Sequence, residues 1–247
     1  MSLNPKFSII TVTYNAASVI TPTLQSIAAQ RYRNIEFLLI DGGSTDNTVE
    51  VARNSGVEIA TLISERDKGL YDAMNKGIAR ATGDYLCFLN AGDSFHSPDV
   101  LQQMVDAIAD KQELPDILYG ETAEVDEERR FVRMRRLQAT EKLNWRSFRH
   151  GMLVCHQAFF AKRTIAPMYD LNYRLSADVD WCIRVMKVSK DIVNTHIIIV
   201  DYLQNGLSLQ HHRASLIERF KIMAKHYGVI QTTLRHMWFV IRAVIKR

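Results

Sequence analysis

Three strand-like apolar runs, each ending on an acidic turn, lie between Leu38 and Asp93 and constrain this chain most. They carry Leu38-Leu39-Ile40-Asp41-Gly42-Gly43-Ser44-Thr45-Asp46, Ser64-Glu65-Arg66-Asp67-Lys68-Gly69 and Cys87-Phe88-Leu89-Asn90-Ala91-Gly92-Asp93. Short β-branched-rich runs bounded by polar turns predict strands covered on both faces, the habit of parallel sheets. If the runs lie parallel, their carboxyl ends share one edge, where open α/β sheets take ligands. Carboxylates gathered on such an edge point to a metal and a phosphorylated ligand.

The pattern extends in both directions. Strands are predicted over 7–12, 35–40, 59–63 and 85–89. Helices fall between them over 19–29, 44–52 (capped by Ser44) and 71–81, with a further helix opened by Ser97 as cap and Pro98 in its first turn. Strand, helix, strand order builds a parallel sheet. After about Leu114 the order changes: strands over 117–119, 130–134, 157–160 and 194–202 surround a helix over 177–188. The charged run Asp126-Glu127-Glu128-Arg129-Arg130 reads as a solvated hairpin or loop. Two helices, 211–227 and 232–246, close the chain, separated near Gly228. The fold class is α/β, a Rossmann-like mostly parallel sheet flanked by helices, with a helical C-terminal extension.

Composition narrows the function classes. The 247 residues are 47% hydrophobic, enough for one large α/β domain or two small ones. The formal charge of +4 does not by itself argue for nucleic acid, and no nucleic-acid partner is expected. From Arg213 onward, however, eight Lys or Arg face a single acid, Glu218. Cys87, Cys155 and Cys182 are widely spaced with no CxxC pair, which predicts reduced, mostly buried thiols of a cytoplasmic protein. The first six residues lack an apolar signal core, and no apolar run approaches the roughly 20 residues of a spanning helix. The expectation is a protein neither secreted nor membrane-spanning.

Neither GxGxxG nor GxxxxGK[ST] occurs, so neither a dinucleotide fingerprint nor a P-loop is supported. Asp41 either caps the following helix or, beside Asp46 and a Gly-Gly turn, binds a ligand. Asp178 and Asp180, two apart on a helix, point to different sides and cannot both face one acceptor.

Five segments taken in order carry a resemblance. They are 7–15 (FSIITVTYN), the turn 41–48, 71–77 (YDAMNKG), 89–93 (LNAGD) and 176–181 (SADVDW). Together they closely resemble the family 2 glycosyltransferases, which have the GT-A fold, from about Phe7 to about Ser208. The resemblance implies a catalytic domain over 1–210, with a nucleotide-binding half (1–93) and an acceptor-binding half (94–210), followed by the extension 211–247. It implies a nucleoside diphosphate sugar donor, UDP- or GDP-linked, with Tyr14 and Asp41 at the base and Asp67 beside the nucleotide. It implies Mg²⁺ or Mn²⁺ held at Asp93, although Asn90 and Gly92 occupy the acidic places of the usual Asp-x-Asp motif. It implies inverting transfer with Asp178 as general base, Asp180 being the competing choice. Asn75, His156-Gln157 and His211-His212 are subsidiary candidates on the same ground.

Similarity to polysaccharide-building members implies a glycan or lipid-linked acceptor. A catalytically silent sugar-nucleotide-binding protein and a sugar-nucleotide pyrophosphorylase are the rival readings. The latter would carry a Gly-rich basic amino-terminal loop that is missing before Tyr14. If the last segment is helical, Leu234, Trp238, Ile241 and Ile245 form one stripe, with Arg235, Arg242, Lys246 and Arg247 nearby. That is the pattern of a helix lying on a membrane surface.

Overall fold

The structure is a computed structural model that describes residues 3–204 and 212–245, the side chains of the second stretch being described over 213–237. Strands β1 (Phe7–Thr13), β2 (Ile35–Asp41), β3 (Thr61–Ser64) and β4 (Tyr85–Phe88) alternate with helices α1 (Ile20–Ala28), α2 (Thr48–Arg53) and α3 (Leu70–Arg80). All seven β1 residues are buried, as a run of β-branched and aromatic side chains between two neighbouring strands requires. β1 pairs in parallel with β2 on one side and β4 on the other, and β3 lies outside β2. The chain order therefore reverses between β1 and β4, and the crevice at the carboxyl ends of these strands is the topological switch point.

The remainder completes one sheet. β5 (Ser94–Phe95), α4 (Val100–Asp106), β6 (Ile117–Val125) and β7 (Phe131–Met134) come next. They are followed by β8 (Phe159–Lys162), α5 (Ala177–Val188) and β9 (Ile192–Leu203). The strand order is β3-β2-β1-β4-β8-β6-β9-β5, with β7 paired to β6. β4–β8 and β8–β6 are antiparallel and β6–β9 is parallel, giving a mixed arrangement beyond the parallel part. Helices α6 (His212–Tyr227) and α7 (Val229–Ile245) follow, separated at Gly228, whose φ of +87° stops α6.

Local chemistry moved several boundaries. Ser44 does not cap α2: the N-cap position is Asn47, Asp46 before it accepts the Thr48 N–H at 3.0 Å, and the Ser44 hydroxyl is turned toward Asp41. Ser97 accepts the Asp99 N–H, and α4 begins only at Val100, beyond Pro98. His156–Ala158 form a 3-10 turn before β8 rather than part of the strand. The 126–130 run is the β6–β7 hairpin turn, but Arg129, at φ +64°, turns inward rather than into solvent. The three cysteines are free and buried.

Candidate active site

The strand register places Thr13, Asp41 and Ser64 side by side at one edge. Tyr14 follows Thr13 and leaves the core, 66% exposed. Gly42 lies where these turns meet: a Cβ there would sit 2.9 Å from Asp67 Oδ2, 3.5 Å from the Thr13 carbonyl and 3.6 Å from the Tyr14 ring. A side chain at 42 would fill this junction, so glycine keeps the Tyr14 ring and the Asp67 carboxylate together. Asn15, at φ +49°, accepts the Thr45 N–H and donates its own N–H to Ser44, latching the two turns. Asp67 is largely buried and pairs with Lys76 Nζ at 2.6 Å, so Lys76 is a partner of the cleft acid rather than an idle surface charge.

Asp41 occupies the expected edge but is fully buried. Oδ1 accepts from the Thr13 and Ser44 hydroxyls, and Oδ2 from the Gly43 and Ser44 N–H groups and the Ser64 hydroxyl. Burial alone would raise its pKa. The Ser44, Ser64 and Thr13 bonds outweigh that and hold it below the ordinary value. Both oxygens of Asp41 are thus engaged by the turns that meet at this edge. Of the two acids assigned to the nucleotide, Asp67 is the one beside Tyr14.

Asp93 departs further from expectation. It is buried, with Oδ1 accepting the Leu203 N–H at 2.9 Å and Oδ2 the Gln157 amide at 2.6 Å. Burial pushes its pKa up to about 7, against the lowering effects of Leu203, Gln157 and Arg129. Gln157 is thus a brace for this turn. Arg129, reaching in from the hairpin, donates to the Gly92 carbonyl and to Ser94 Oγ. The oxygen in this turn without a partner is Asn90 Oδ1, a neutral amide. Hard divalent cations take carboxylate oxygens by preference, and among the described residues no cluster of three His, Cys, Asp or Glu fits a metal. The described residues do not fit a cation at Asp93: its carboxylate is a strut between β4, β8 and β9.

Opposite the edge stands α5. Asp178, in its first turn, is half-buried, and its Oδ1 accepts the Tyr71 hydroxyl at 3.0 Å from the start of α3. Asp180 is fully buried, bound by Arg184 Nε at 2.6 Å, His226 Nε2 at 2.7 Å and Lys225 Nζ at 3.3 Å. Burial opposes its ionisation, but His226 and Arg184 hold its pKa down at about 2. The helix therefore links one acid to α3 through a single hydrogen bond and ties the other to α6. Glu218 of α6 accepts the N–H groups of Arg174, Leu175 and Ser176, holding the chain that enters α5. His156 is buried, 2.5 Å from the Tyr169 hydroxyl, and burial depresses its pKa to about 4. Asn75 joins α3 to the Tyr169 backbone in both directions. His156 and Asn75 are thus occupied within the protein. The His211 and His212 side chains, and residues 205–210, lie outside the described residues.

The profile of the glycosyl transferase family 2 matches residues 8–166, from within β1 to just beyond β8. The chain belongs to glycosyltransferase family 2. A PGL/p-HBAD biosynthesis glycosyltransferase of Mycobacterium bovis is 36% identical over 215 residues, covering 82% of this chain and 78% of the relative. The amylovoran biosynthesis glycosyltransferase AmsB of Erwinia amylovora is 38% identical over 107 residues, 41% of this chain and 35% of the relative. Among solved structures, S. aureus TarS 1–349 in complex with UDP-GlcNAc superposes with a TM-score of 0.70 at 17% identity, covering 88% of this chain and 64% of TarS. The mannosyltransferase PcManGT from Pyrobaculum calidifontis, in complex with GDP-Man and Mn²⁺, gives 0.61 at 16%, covering 94% and 74%. This glycosyltransferase shares the GT-A fold with both. Sequence reasoning missed Arg129, Tyr71 as the partner of Asp178, and Glu218. Tyr71 alone stood in a quoted motif; the other two looked like surface charges.

Proposed function

We propose that this glycosyltransferase transfers one sugar with inversion from a UDP- or GDP-linked donor to a hydroxyl of a glycan or lipid-linked acceptor, in the building of cell-surface polysaccharide or glycolipid. The observation that carries this reading is Asp178, a half-buried carboxylate in the first turn of α5, with one hydrogen bond, from Tyr71, among the described residues. The nucleotide stacks against Tyr14 and meets Asp67, so residues 1–93 serve the donor and 94–210 the acceptor. The acceptor oxygen attacks the anomeric carbon from the face opposite the diphosphate. As the C–O bond to the diphosphate breaks, the hydroxyl proton passes to Asp178. Tyr71 fixes the carboxylate for that transfer. No step of this chemistry is assigned to a divalent cation, since the Asp93 carboxylate already accepts from Gln157 and Leu203. Support for the donor class comes from the UDP-GlcNAc and GDP-Man complexes, and for the acceptor class from the names of the relatives.

Calorimetry with UDP- and GDP-sugars, followed by a transfer assay of wild type and Asp178→Asn, tests the reading. Unchanged donor affinity with a rate lower by a factor on the order of 10²–10⁴ supports it. Equal rates remove Asp178 as the base. The sugar-nucleotide-binding alternative draws on Asn90 and Gly92, and any turnover excludes it.

Association with the cytoplasmic face of a membrane belongs to the same proposal. No helix among the described residues is long and apolar enough to cross a membrane. On α7, Ile230, Leu234 and Met237 share one face and are 78%, 62% and 57% exposed. The rest of the predicted stripe, from Trp238 onward, lies outside the described side chains. With the basic excess of the tail, the exposed face has the chemistry of an interfacial helix.

A further inference from the structure

A cluster of cations stands apart from the catalytic cleft, where α7 packs on the 3-10 turn Ser147–His150. Between them is a cavity of about 450 Å³ lined by Arg149, Gln231, Leu234 and Arg235. Beside it is the stacked pair Trp145 and Tyr227, with ring centres 5.7 Å apart and Arg149 over both, at 5.8 and 5.3 Å. Arg146 and Lys187 lie over Trp145 at 5.1 and 5.0 Å. Among the described residues, none of Arg146, Arg149, Lys187 or Arg235 pairs with a carboxylate.

Two details show positive charge without a matching anion. Arg149 Nε is buried and donates to no acceptor. Arg235 Nη1 approaches His150 Nδ1 at 3.2 Å, which requires the imidazole nitrogen to accept. Burial, Arg235 and Arg149 all depress the His150 pKa, so the ring is kept neutral beside two guanidinium groups. Like charges held together around a cavity are unfavourable until an anion enters, and paired guanidinium groups are suited to the oxygens of a phosphate. Leu234 lines the same cavity and belongs to the exposed apolar face of α7. The anion and an apolar chain therefore have adjoining places.

We propose that this cavity binds the phosphate of an anionic lipid, gripped by Arg149 and Arg235, with Gln231 as a further donor and the acyl region against Leu234 and Ile230. The lipid source rests on the membrane association proposed above; the phosphate chemistry does not. The site is separate from Tyr14, Asp67 and Asp178, and filling it anchors the enzyme without entering the reaction.

The test compares wild type, Arg235→Lys and Arg149→Lys/Arg235→Lys, all confirmed folded by their melting curves. These changes keep every charge and remove the planar fork. Partition onto phosphatidylcholine vesicles, with and without phosphatidylglycerol, is measured beside calorimetry with glycerol 3-phosphate. Expected is binding of wild type to the phosphatidylglycerol vesicles alone, weakened roughly tenfold in the double variant, with transfer to a soluble acceptor unchanged. Equal vesicle binding by wild type and double variant overturns the site in favour of a diffuse basic surface. Arginine-dependent binding of glycerol 3-phosphate with no vesicle binding overturns the lipid source. No binding of either probe overturns the proposal, while the Asp178 assay stands independently.

Discussion

The acids at the strand edge and the acids of α5 differ less in type than in how many donors the fold aims at them. At the edge, Asp41 accepts from five donors and Asp93 from two, and both are buried. On α5, Asp180 is closed by Arg184, Lys225 and His226, whereas Asp178 takes one phenolic hydrogen bond. The edge thus contains two sealed acids and α5 one, while each region keeps an acid with fewer internal partners: Asp67, paired with Lys76, and Asp178 on the helix. A sealed carboxylate orders the chain around it; one with an oxygen to offer can take a proton or a ligand.

The comparison breaks most sharply at Asp178 and Asp180. The expected result for Asp178→Asn is a loss of kcat on the order of 10²–10⁴ with the melting temperature little changed. Asp180→Asn instead leaves buried cationic partners without their anion, costing about 3 kcal/mol of stability by denaturant titration. If the two variants exchange phenotypes, the roles of the acids are reversed.

Glu218 sharpens the helix side, since it touches the chain entering α5 and no reacting group. Glu218→Ala should lower kcat by up to about 10²-fold through misplacement of Asp178. KM for the donor should hold, and Glu218→Gln should recover part of the rate. Loss confined to stability would make α6 a scaffold only.

The sealed acids also predict opposite pH responses. Asp93 has a folded pKa raised to about 7, so between its ordinary value and about 7 the folded state holds a proton that the unfolded state has lost. Its contribution to stability therefore falls as pH rises through that window. Asp180, depressed to about 2, contributes fully above the ordinary carboxylate pKa and loses its contribution as pH falls toward 2. Chemical denaturation across pH should show the first trend flattened in Asp93→Asn and the second in Asp180→Asn. The smallest effect is expected from thorough chelation, which should leave transfer within about twofold of the untreated rate, because Asp93 is a brace. Abolished activity restored by Mn²⁺ would place a ligand set here that the described residues do not supply.

Much of the parallel part was legible in the sequence. Runs such as Phe7–Thr13 are apolar on every residue because both sheet faces are covered, and their polar turns define where strands stop. α5 was predicted with its observed ends, since its apolar spacing is regular and Asp178 and Asp180 suit a helix start. Motifs in order were enough to indicate the family and to bring Tyr14, Asp41 and Asp67 to one edge. What remained open was which acid is free. That depends on donors distant in the chain: Ser64 for Asp41, Gln157 and Leu203 for Asp93, and His226 for Asp180. Arg129 looked like one charge in a solvated run, and only the hairpin brings it to the Gly92 carbonyl. Residue type and periodicity are local properties that sequence determines. The number of hydrogen bonds aimed at a carboxylate, and hence its role, is set by tertiary packing between elements far apart in the chain.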